Sequence, residues 1–185
     1  MSVWGKTWGK VCLGAVGVAL LLDGSASVKA ASAKTSGALG GRSAASIRVH
    51  DAVTAWPLLQ AVSGAHQWLS DPACQEVFSD FTDLSGTPLA EVLAARGLTA
   101  QEQLGRLAFD DGSRHRGCWT PGIAALTSPG HTVIYICPME FRRLSREPSH
   151  ARAVVIHELL HSLGLGENPP SSREITERVL KRCGR

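Results

Sequence analysis

Apolar residues recur at helical spacing from Pro57 to Leu69, and Asp71-Pro72 closes that run. A second helix is predicted from Thr87-Pro88-Leu89 to about Arg96, ended by Gly97. A third is capped by Thr99, with Glu102 three residues on, and runs to about Phe109, after which Asp110-Asp111-Gly112 reads as a turn. The pattern then shortens to apolar, β-branched runs. Ile123 to Thr127 and Thr132 to Cys137, separated by Ser128-Pro129-Gly130, predict two antiparallel strands. From His150 to Leu163 the chain is apolar on nearly every side, which marks a core helix rather than a surface one. Ser149 is its expected N-cap, and Gly164 suits the left-handed residue past its end. A last helix at 172–182 opens after Pro169-Pro170 through a capping box of Ser171 and Glu174. Its Glu174–Arg178 and Glu177–Lys181 spacings suit ion pairs on a solvated face. The order predicts an α+β domain, mostly helical, with a short antiparallel hairpin beside the buried helix.

With 185 residues the chain suits one domain, placed at 47–185 and expected to be a monomer. Residues 31–46 are rich in Ala, Ser and Gly and read as a flexible linker. Before them, Lys6 and Lys10 precede an apolar run from Val11 to Leu22, with small residues around Val28-Lys29-Ala30. That is the layout of an export signal peptide over 1–30, and the apolar run is too short to span a bilayer. A secreted or periplasmic location is therefore expected, with no stable membrane span after cleavage. The net charge of +3 falls to about +1 once three lysines and one aspartate leave with the signal, which argues against a nucleic-acid partner. Arg142, Arg143 and Arg146 form only a local basic spot.

Removing Cys12 with the signal leaves Cys74, Cys118, Cys137 and Cys183, an even number in an exported chain. Cys118 and Cys137 flank the turn-rich segment and are expected to pair. Cys74 with Cys183 would then staple the last helix to the earlier half. No Cys-x-x-Cys occurs, so a structural zinc knuckle and a thioredoxin-type redox motif are unsupported.

The chemistry concentrates in the buried helix, where His157-Glu158-Leu159-Leu160-His161 spells HELLH. At helical pitch His161 falls about 40° from His157, and Glu158 about 100° away at the edge of that face. Two imidazoles converge on one point, and the carboxylate is placed to touch a water there rather than the ion. His150 shares the face but lies roughly 10 Å along the axis. His131 and His115 fall in loops and read as surface residues. Tyr135, on the second predicted strand, is a candidate to polarise a carbonyl oxygen. A hydrolytic zinc usually takes three protein ligands. Gly164 lets the chain reverse to bring Glu167 back over His161. Glu174 and Glu177, on the following helix, are the competing third ligands.

The stretch from His157 to Glu167, HELLHSLGLGE, resembles the zinc motif of the zincin metallopeptidases. In their metzincin branch a glycine breaks the helix and a third ligand follows three residues later, usually His, or Asp in the small snapalysin group. The matching residue here is Glu167. No methionine follows Met139, so the metzincin Met-turn has no counterpart, and the resemblance is to the wider zincin class. It implies a secreted zinc-dependent peptidase with a zincin-like catalytic domain and a polypeptide substrate. His157, His161 and Glu167 would hold Zn2+, and Glu158 would be the general base. Two other functions stay open: a disulfide-stapled, non-enzymatic domain with a structural metal or a protein or cell-wall partner, and a zinc amidase acting on a non-protein amide.

Overall fold

A computed structural model describes residues 44–185. The signal peptide expected at 1–30, and the linker expected at 31–46 as far as residue 43, lie outside them. The elements run β1 (Ser46–Arg48), α1 (Ala52–Trp68), α2 (Pro72–Gln75), α3 (Leu89–Ala95), α4 (Ala100–Gly105), β2 (Ala108–Asp111), β3 (Ala125–Leu126), β4 (Val133–Ile136), α5 (Pro138–Leu144), α6 (Pro148–Ser162) and α7 (Ser172–Cys183). Short 3-10 turns follow α2 and precede β3. The class is α+β, as expected.

The sheet is larger than the hairpin anticipated. Four strands lie in the order β1-β2-β4-β3, with β1, β2 and β4 parallel and β3 antiparallel to β4. Residues 108–111, expected as a helix end and a turn, form the central strand β2. Successive side chains point to opposite faces. One row of register partners, Ile47, Phe109 and Ile134, faces inward, and Phe109, Ile134 and Ile136 are buried among the helices. The neighbouring row, Arg48, Asp110 and Tyr135, faces away, and Arg48 Nε donates to Asp110 at 2.5 Å.

α6 is the central helix. Ten consecutive residues, Ala153 to Ser162, are buried within it. Such a helix survives only when covered on all sides. α1 and α7 flank it, and the sheet edge at β3 closes another side. Its start differs from expectation: Pro148 occupies the first turn, where a missing N–H costs nothing, and Ser149 caps nothing. Its end is as expected, with Gly164 at φ +111°. A side chain there would be strained, and its Cβ would stand 3.0 Å from that of Asp83. α1 also starts earlier than expected, capped by Asp51, whose side chain accepts from Val53 N–H. Pro57 sits inside this helix rather than at its head. The bond it cannot donate falls in a turn whose neighbours Val53 and Trp56 are solvent-exposed, where water can serve the freed carbonyl.

α7 is pinned at both ends. Ser171 and Glu174 form the expected capping box. At the far end Cys183 is bonded to Cys74, and a second disulfide joins Cys118 to Cys137. Both pairings are those expected. The ion pairs of α7 are not. Arg173 pairs with Glu177, and Arg178 and Arg182 reach across to Asp80. Arg182 donates to both Asp80 oxygens at 2.8 Å and also contacts Glu76.

Arg182, and then Arg178, hold the Asp80 carboxyl below its ordinary 3.8. The folded state therefore binds this proton more weakly than the unfolded chain. The stabilisation is present above 3.8 and disappears as pH falls through the depressed folded value. Asp80→Asn is expected to cost about 1–2 kcal/mol at pH 7. In urea unfolding the gap to wild type should be narrower at pH 3 than at pH 7. A gap equally wide at both pH values would show that the carboxylate charge contributes nothing.

Candidate metal centre

The helical repeat places His157 and His161 one turn apart on α6, and both rings are buried. Their Nε2 atoms lie 3.0 Å apart. The left-handed Gly164 turns the chain back, and Glu167 Oε1 comes to 3.4 Å from His157 Nε2 and 3.3 Å from His161 Nε2. These three are the one group of ligand-type side chains so clustered among the described residues.

The donor set fits a metal ion such as zinc on three counts. Ligands about 2.0–2.1 Å from a tetrahedral zinc stand roughly 3.3–3.4 Å from one another, which is close to the triangle seen here. His161 Nδ1 lies 2.7 Å from the Leu165 carbonyl oxygen, which only accepts. That ring therefore carries its proton on Nδ1 and presents a lone pair at Nε2. Finally, burial pushes the His157 pKa down, against the pull of Glu167, so the ring favours the neutral form a metal requires. Glu167 is held below the usual carboxylate range, chiefly by the His157 imidazole beside it.

Glu158 stands apart from that triangle. It is 4 % exposed, and its Oε2 is buried with no hydrogen-bond partner. Burial first, and the Glu167 charge second, push its pKa up to about 8. A buried carboxyl without a partner is costly, and such groups gather where chemistry is done. A cation held by the neighbouring histidines would draw this pKa back down.

The three candidate ligands and Glu158 line a cleft of about 220 Å³. Its far wall is Ile123, Ala125, Leu126, Thr127 and Pro129, with Ser172 at one end. That wall is β3 with the residues flanking it, and the outer side of β3 pairs with no strand among the described residues. The β3–β4 connection is tied to α6 by Gly130 N–H donating to the His161 carbonyl at 2.8 Å.

The other residues singled out by sequence lie elsewhere. Glu174 is spent on its capping box, accepting from the Ser171 N–H and hydroxyl, and Glu177 holds Arg173. Neither joins the histidines. Tyr135 faces the opposite side of the sheet from Ile134 and Ile136, stacks on His115 at 4.8 Å and does not line the cleft. His131 and His150 are exposed. Sequence reasoning missed Thr176, whose hydroxyl lies 3.0 Å from His157 Nδ1. Only the packing of α7 on α6 brings it there, so no local pattern announces it. Among known proteins, no family model, no curated protein and no solved structure matches the chain.

Proposed function

We propose that this chain is an exported zinc-dependent peptidase of the zincin type, with His157, His161 and Glu167 as the metal ligands. The observation that carries the reading is the junction of two features in one cleft. Three ligand atoms stand at tetrahedral-edge spacing, and a fourth residue, Glu158, is buried, unpaired and free of the ligand triangle. A zinc ion bound there would polarise a carbonyl and lower the pKa of a water towards about 7.

The residues of the chain divide the remaining work. Glu158 accepts the proton of the water that attacks the carbonyl carbon and returns it to the leaving amine nitrogen. The unpaired edge of β3 holds an extended polypeptide by backbone hydrogen bonds, antiparallel pairing being the simplest geometry. The apolar side chains Ile123 and Leu126 exclude water from the bond being cut. Two disulfides suit an oxidising compartment and support the expected export. Among the described residues no helix is long and apolar enough to cross a membrane.

The test is metal analysis of the purified mature chain with digestion of an unfolded casein substrate. Zinc near one per chain is expected, and cleavage should stop with a chelator and return with added Zn2+. A chain that holds one metal but cuts no unfolded protein would favour a structural metal. A chain that binds none would remove the reading altogether.

A further inference from the structure

Both candidate histidine ligands are held from behind, but by partners of different kinds. His161 Nδ1 faces the Leu165 carbonyl at 2.7 Å, which leaves one neutral tautomer. His157 Nδ1 faces the hydroxyl of Thr176 at 3.0 Å, and a hydroxyl both donates and accepts. If the ring proton sits on Nδ1, Thr176 accepts it and Nε2 offers a lone pair. If it sits on Nε2, Thr176 donates, and the ring aims a hydrogen at His161 Nε2, 3.0 Å away. Only the first state can ligate a cation.

We propose that Thr176 is a positioning residue that holds His157 in its Nδ1–H tautomer and sets the plane of its ring, so that Nε2 meets the ion alongside His161 and Glu167. The inference rests on the metal-site reading of the proposed function. The hydroxyl is suited to the task because its helix cannot drift. Ile175 and Val179 are buried on either side of it, the capping box fixes the start of α7, and the bond from Cys183 to Cys74 fixes its end. A β-branched side chain on such a helix has few rotamers left. Groups that orient a metal-bound imidazole through its far nitrogen typically contribute tenfold to a hundredfold in affinity.

The test uses Co2+ and Zn2+ affinity, measured by competition with a chromophoric chelator, on the mature wild-type chain, Thr176→Val and Thr176→Ser. Thr176→Val keeps the shape and removes the hydroxyl, and is expected to bind both ions about 10- to 100-fold more weakly. Thr176→Ser keeps the hydroxyl and should stay within about threefold of wild type. The visible absorption of bound Co2+ should change in the valine variant and not in the serine variant. Thermal unfolding of the metal-free chains checks that all three are folded, separating ligand orientation from loss of structure. Wild-type affinity and spectrum in Thr176→Val would overturn the proposal while leaving the metal site intact. Equal losses in both variants would also overturn it, by assigning the effect to the packing of α7 on α6 rather than to the hydroxyl. A wild-type chain that binds neither ion would instead bring down the metal-site reading, and this proposal with it.

Discussion

Glu158→Gln is expected to lower casein hydrolysis on the order of 10³-fold while the purified chain keeps its full metal content. The substitution preserves size and removes basicity. Because Glu158 lies outside the triangle of His157, His161 and Glu167, the ion loses no ligand. Because its Oε2 has no protein partner, no structural hydrogen bond is broken at that atom. His161→Ala is the contrasting variant and should lose metal and hydrolysis together. Cleavage that survives Glu158→Gln would move the base elsewhere. Metal lost with Glu158→Gln would make this residue a ligand and leave the cleft without a base.

The largest stability effect is expected from the disulfide between Cys74 and Cys183. It closes a loop with a sequence separation of 109, and replacing both cysteines by alanine should cost about 4–5 kcal/mol. For a domain of this size that lowers the melting temperature by roughly 15 °C. The bond between Cys118 and Cys137 spans a separation of only 19, so its removal should cost less, about 3 kcal/mol. Calorimetry of the two double variants checks the order. A reversed order would mean that Arg182, with Asp80 and Glu76, anchors α7 without help from the sulfurs.

Features set by short-range chemistry are legible in the amino-acid order alone. The capping boxes at Thr99 and Ser171, the left-handed turn at Gly164 and the HELLH spacing each lie within a few residues, and each is found where the sequence puts it. Both disulfides follow from parity and from the turn-rich stretch between Cys118 and Cys137. The strands β1 and β2 are not legible. Ser46-Ile47-Arg48 is too short to show a period, and Ala108–Asp111 follows a helix closely enough to pass for its end. What makes them strands is each other and β4, and such pairing leaves no local trace. The start of α1 is misleading because Pro57 imitates a first-turn proline, while Asp51 six residues earlier does the capping. The choice between Glu167 and Glu174 can be reasoned in part. A carboxylate already engaged at a helix start has little left for a metal, and Glu174 proves to be so engaged. The pairing of Arg178 and Arg182 with Asp80 depends on which helix lies opposite, which sequence spacing does not encode.

α7 stands behind a ring that precedes it in the chain, and this bears on biogenesis. Thr176 and Cys183 are made after the HELLH segment, and Cys183 must find a thiol made 109 residues earlier. The helix that backs His157 is therefore the last of the described elements to be made. If the cleft cuts peptides, a chain shortened before α7, and so without Thr176 behind His157, should cut none.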